Sequence, residues 1–100
     1  MPLESTTDSI RKRALATLSL GHTLQFDLGA VGVIYWDGTR TPPLIDNTRR
    51  EAEATIFISL DNLDRLLAGT LDATMAYMTG LLKVQGSTGV ALKLGEALEG

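Results

Sequence analysis

Three glycines, at positions 69, 80 and 86, cut the second half of this chain into pieces that admit only small elements. Between the first two lies a helix-sized segment, TLDATMAYMT, and between the last two a five-residue strand, LLKVQ. Glycine ends helices and turns the chain sharply because it adopts left-handed backbone without a steric penalty. The stretch therefore folds as short packed pieces with apolar surface, sharp turns and no reactive group. That combination suits holding an apolar molecule better than transforming one.

The rest of the chain reads as alternating short elements. Thr6, Thr7 and Asp8 offer N-cap oxygens for a helix over about residues 8–20, with Ile10, Ala14, Leu15 and Leu18 at helical spacing. Residues 22–29 alternate strictly, placing Leu24, Phe26 and Leu28 on one face of a strand. Gly29-Ala30, read as a two-residue hairpin loop, pairs Leu28 with Val31, Phe26 with Val33 and Leu24 with Tyr35. Ile34 and Trp36 then point away from the core. Pro42 and Pro43 leave at most a short edge strand over 41–47. Residues 51–59 alternate again, with Ala52, Ala54, Ile56 and Ile58 inward and Phe57 outward. Ser59 or Asp61 caps a helix bearing Leu63, Leu66 and Leu67; a second short helix carries Met75 and Met78. Leu82 and Val84 form the inner face of the last strand, and Ser87 caps a final helix with Val90, Ala91, Leu94 and Leu98. Helices gathered on one side of a largely antiparallel sheet make this an α+β domain, with residues 1–100 as a single unit.

Composition narrows the chemistry. The absence of cysteine excludes thiolate chemistry and disulfides, and a lone His22 serves metal binding poorly, so no metal site is expected. A catalytic triad lacks its base beyond His22, and no Gly-x-Ser-x-Gly elbow occurs. The paired carboxylates Asp61/Asp64 and Glu51/Glu53 are accounted for by capping or by a wet strand face. Gly29-Ala30-Val31-Gly32 joins two strands rather than opening a helix, so it offers phosphate no cradle. A net charge of −3 makes nucleic acid an unsuitable partner. No apolar run approaches the length needed to span a bilayer, and residues 1–8 lack the features of a secretion signal. The expectation is a cytoplasmic protein without catalytic residues or cofactor.

From Ile56 onward the chain resembles the sterol carrier protein 2 family. Asn62-Leu63-x-x-Leu66-x-x-Gly69 matches a first family block, Ala76-x-x-x-Gly80-x-Leu82-Lys83-Val84-x-Gly86 a second, and Ala91-x-Lys93-Leu94 a third, with the spacing from Gly69 to Leu94 kept without a gap. The resemblance implies a five-stranded sheet covered on one face by helices, with a hydrophobic cavity between the layers for sterols, fatty acyl chains or other lipids. Some bacterial members are accessory factors in isoprenoid-quinone pathways, so the competing expectation is a dimerising accessory module with a solidly packed interior.

The lining expected for the lipid is Phe26, Val33, Tyr35, Ile56, Leu63, Leu66, Leu67, Met75, Met78, Leu82, Val90 and Leu94. Leu81 stands where the family often has lysine. By the same alternation Ile34, Trp36, Phe57 and Leu81 share the outer sheet face, and four exposed apolar side chains there form a patch that monomers seldom leave open. The patch predicts a homodimer, or docking on a partner or transiently on a membrane. The alternative is that one strand is misassigned by a residue, because such a slip turns every side chain to the opposite face.

Overall fold

The computed structural model describes residues 3–16, 21–40 and 42–91, excluding the side chains of residues 15 and 16. Helix α1 (Leu3–Ala16) leads into strands β1 (Thr23–Asp27), β2 (Val33–Asp37), β3 (Leu44–Asp46) and β4 (Ala54–Phe57). Helices α2 (Leu60–Leu67) and α3 (Ala73–Thr79) follow, then β5 (Lys83–Gly86) and a helical turn over 88–91. The five strands form one sheet in the order β3-β2-β1-β4-β5. Three neighbouring pairs are antiparallel and β1 pairs with β4 in parallel, so the expected α+β fold holds and its sheet is mixed.

Local chemistry sets the helix bounds. Helix α1 begins five residues before the expected position. Thr6 and Thr7 are buried inside it rather than capping it. The Thr7 hydroxyl donates to the Leu3 carbonyl one turn back (2.8 Å), which a threonine within a helix does readily. Thr6 Oγ1 bonds Asp64 Oδ1 and Arg13 reaches the Leu67 carbonyl, both at 2.5 Å, fixing α1 on α2. At α2, Ser59 Oγ accepts from Asn62 N (3.1 Å) as anticipated. At α3, Asp72 caps the start through Met75 N (2.9 Å), and Gly80 ends it in left-handed backbone with the Leu81 amide reaching back to the Ala76 carbonyl (2.9 Å).

The β1–β2 connection differs from expectation by one residue, with large consequences. Gly29–Val31 forms a 3-10 turn closed by Leu28 N to Gly32 O (2.9 Å), so three residues rather than two separate the closing positions. The register becomes Phe26 opposite Ile34 and Leu24 opposite Trp36. Because strand side chains alternate with period two, this shift rotates all of β2. Ile34 (0% exposed) and Trp36 (2%) therefore face the helices, while Val33 and Tyr35 face the other way.

Val33 and Tyr35 are nonetheless buried, at 3% and 6% exposure, because the chain from β3 to β4 crosses their face. Parallel β1 and β4, with β3 beyond β2, require residues 47–53 to traverse two strands. Seven residues span about 24 Å at most, which suffices without a helix. This strap is pinned along its length. Asn47 Nδ2 donates to the Val33 carbonyl (2.9 Å) and to Thr7 Oγ1 (3.0 Å). Arg49 meets Asp27 (2.7 Å), Arg50 N donates to Gln25 Oε1 (2.9 Å), and the Arg50 guanidinium lies 4.9 Å above the Tyr35 ring. At its end Glu53 accepts from Thr23 N (2.8 Å) and sits beside His22 Nδ1 (3.1 Å). Residues 51–53, expected to begin the strand, thus belong to the strap.

Candidate functional site, the layer between sheet and helices

Strand alternation and register bring one apolar side chain after another onto the helix-facing surface. Leu24 lies between Trp36 and Ala54, and Phe26 between Ile34 and Ile56; Ile45 flanks Trp36 and Val84 flanks Ile56. This is the floor. The roof comes from stripes at helical spacing: Ile10 and Ala14 of α1, Leu63, Leu66 and Leu67 of α2, and Ala73 and Ala76 of α3. Leu82 and Ala91 close one side, with Val90 packed partly against them.

The structure sorts the expected lining residues into three groups. Phe26, Ile56, Leu63, Leu66, Leu67 and Leu82 are buried together in this layer, and Val90 is at its margin. Val33 and Tyr35 lie on the opposite sheet face under the strap, a correction that follows from the three-residue loop. Met75 (56% exposed) and Met78 (74%) sit on the open side of α3, because that helix turns Ala73 and Ala76 inward and its methionines fall on the opposite stripe. Leu94 lies outside the described residues.

The expected outer patch is corrected in the same way. Ile34 and Trp36 belong to the floor, which leaves Phe57 (38% exposed) and Leu81 (45%) on the outside. These two line a depression of about 380 Å3 with Leu28, Ile58, Gly80 and Lys83 at the end of the sheet.

Sequence reasoning missed Trp36 as a floor residue. The available signal was Gly32, a poor strand residue whose inclusion in the loop gives the observed register. Trp36 is also the one described residue with a buried side-chain polar atom lacking a hydrogen-bond partner, its indole Nε1. Leaving such a donor unsatisfied costs about 1–3 kcal/mol, so an unpaired indole in an otherwise apolar layer calls for an explanation.

Titratable groups cluster elsewhere. The Arg49 guanidinium, with the Gly29 amide, holds the Asp27 carboxyl below its usual range. The Thr39 hydroxyl and amide, with Arg40, do the same for Asp37. The Thr23 amide and His22 lower Glu53. All three stabilise loop or strap ends on the sheet's margins. Among the described residues no group of three or more His, Cys, Asp or Glu is placed to hold a metal ion, and no helix is long and apolar enough to cross a membrane.

A mixed five-stranded sheet with helices over one face, enclosing a layer of aliphatic and aromatic side chains, defines a small α+β sheet-and-helix domain. The chain belongs to the SCP-2 sterol transfer family, whose model matches residues 3–99. Solved structures agree on the fold. The crystal structure of sterol carrier protein 2 like 2 from Aedes aegypti has a TM-score of 0.75 at 21% identity, covering 94% of both chains. The solution structure of the palmitated form of that mosquito protein has a TM-score of 0.72 at 21% identity, covering 98% of this chain and 95% of the other. In sequence, an alignment 48 positions long, covering 46% of this chain, shows 42% identity to hydroxysteroid dehydrogenase-like protein 2 of Xenopus laevis. That match spans 12% of the frog protein's length.

Proposed function

We propose that this chain is a noncatalytic lipid-binding or lipid-transfer domain that acts as one unit over residues 1–100. It holds a fatty acyl, sterol-like or isoprenoid chain between sheet and helices. The observation that carries this reading is the layer itself. Phe26 and Ile56 on the floor and Leu63 and Leu66 in the α2 roof form a continuous aliphatic and aromatic surface, and the buried face of α3 beside them is made only of alanine. The small α3 residues beside the large apolar side chains of the floor and of α2 allow a flexible chain to lie against both, at about 25 cal/mol per Å2 of apolar surface removed from water. Family membership and the palmitated mosquito relative support the same assignment.

The frog protein's name points to an enzyme, but the match touches a small part of its length, and the site built here needs no catalytic residue or cofactor. We place the domain in the cytoplasm, where transfer entails transient contact with a membrane. The exposed large apolar side chains among the described residues are Val31, Phe57, Met75, Tyr77, Met78 and Leu81, of which Phe57 and Leu81 share the depression at the sheet end. A homodimer across the outer face is not favoured, since two of its four expected residues are in the core and the strap occupies the middle of that face.

Native mass spectrometry of the purified protein should reveal co-purifying lipid, and delipidation should lower the melting temperature. A protein that carries no lipid and binds no fluorescent fatty acid at micromolar concentration would return the reading to a packed interaction module.

A further inference from the structure

We infer that the depression at the sheet end is the mouth of the lipid site, where Lys83 and Ser59 hold the carboxylate of a fatty acid that enters tail first. The inference rests on the lipid-binding reading and adds to it the entrance, the orientation of the ligand and the residues that meet its head. The depression, of about 380 Å3, opens directly on the apolar layer. Leu28 and Ile58 line it and also belong to the buried core, each at 5% exposure, so its inner wall is the outer edge of the layer between sheet and helices. Phe57 and Leu81 supply exposed apolar surface at its rim.

Topology explains why a cleft forms at this end. Strands β1 and β4 are parallel, and beyond their carboxyl ends the two chains part. One turns through Gly29–Val31 into β2, and the other passes through Ser59 into α2. Parallel strands whose chains leave in different directions open a crevice at their carboxyl ends. Gly80 and Leu81, on the path from α3 to β5, wall its third side.

The polar groups of the depression suit an anion. Register sets Asp27, Phe57 and Lys83 in one row across the end of the sheet. The Arg49 guanidinium lies 2.7 Å from the Asp27 carboxylate and offsets its charge, so Lys83 brings the row an additional positive charge. The Ser59 hydroxyl accepts from the Asn62 amide at 3.1 Å, which turns its proton away from that amide and leaves it to donate. An ionised carboxylate carried into the apolar layer would lose its hydration, whereas methylene groups that pass Leu28 and Ile58 gain by leaving water. Head at the mouth and tail in the layer satisfies both.

Palmitate and methyl palmitate, each delivered from cyclodextrin at neutral pH, separate the charged head from the chain. Lys83→Gln should weaken palmitate about fivefold, the scale of an exposed ion pair, and leave methyl palmitate within twofold; Lys83→Arg should restore palmitate. Stearate with a nitroxide near its head should broaden the Ser59 and Lys83 amide signals in a nitrogen–proton correlation spectrum. Stearate labelled near its tail should instead broaden Leu24 and Ala54, which lie deeper along β1 and β4. Palmitate binding unchanged by Lys83→Gln, or weakened no more than that of the ester, overturns the head contact and leaves the lipid reading standing. A tail label that broadens Ser59 and Lys83 more than the head label does overturns the orientation. Failure of wild type to bind any of the four probes overturns the lipid reading and the mouth with it.

Discussion

Gly86 is where a single hydrogen atom matters most in this molecule. It has φ of +90°, and a Cβ built there would lie 2.4 Å from the Glu53 carbonyl oxygen, closer than any real contact. The atom in the way is backbone at the end of the strap, so it yields only if β4 and β5 separate. Gly86→Ala should cost about 3 kcal/mol, combining backbone strain and overpacking. Gly89, in the helical turn that follows, has ordinary φ and open space at its Cβ position, so Gly89→Ala should be neutral or gain up to about 1 kcal/mol. Chemical denaturation of both variants checks the contrast, and equal losses would refute it. A glycine at 86 is visible in the sequence; its collision partner, 33 residues earlier, is not. Trp36 makes the same point. In Val33-Ile34-Tyr35-Trp36 every side chain is apolar, so alternation offers no way to choose a face, and the decision passed to one extra loop residue.

Elements repeat the lesson with different causes. Helix α2 was legible because Leu63, Leu66 and Leu67 are large and fall on one stripe, and all three are buried. Helix α3 misled because its stripe of large residues, Met75 and Met78, is the exposed one, and the packed stripe is Ala73 and Ala76. An apolar side chain marks a face only when nothing smaller is better suited to close approach. The alanine face yields a prediction at this scale. Ala76→Leu puts a bulky side chain on the buried face of α3 and should reduce affinity for an acyl chain about tenfold while the far-ultraviolet circular dichroism stays native. Met75→Ala, on the open side, should leave affinity unchanged. Titration with a fluorescent fatty acid distinguishes them, and an unaltered Ala76→Leu would place the ligand away from α3. The strap over 47–53 overlaps the ends of the expected edge strand (41–47) and strand run (51–59), and only the tertiary structure places Asp27 and Tyr35 beneath its Arg49 and Arg50.

At the scale of the whole molecule, the sheet depends on margins held by carboxylates. Asp27, Asp37 and Glu53 all titrate below their ordinary ranges when folded, through Arg49, Thr39 and Thr23 respectively as the leading contacts. A carboxyl group with a lowered folded pKa contributes stability above its unfolded value and loses it as pH falls through the folded one. The melting temperature should therefore drop as the solution is acidified below about pH 4. Asp27→Asn should melt lower than wild type near pH 7, with the two curves converging in acid. Scanning calorimetry between neutral and acid pH tests this, and a parallel fall in both proteins would remove Asp27 from the account. What the sequence determined alone was what short-range physics encodes: the Ser59 cap of α2 and the Gly80 stop of α3, the alternation of β1 and β4, the α+β class, the leucine stripe of α2 and the family motif from Asn62 to Leu94. Tertiary structure decided which face of β2 meets the helices, which side of α3 is packed, and what covers the back of the sheet. Those choices depend on contacts between residues far apart in the chain. A uniformly apolar strand or an alanine-lined helix has no orientation until the neighbours that bury it are in place.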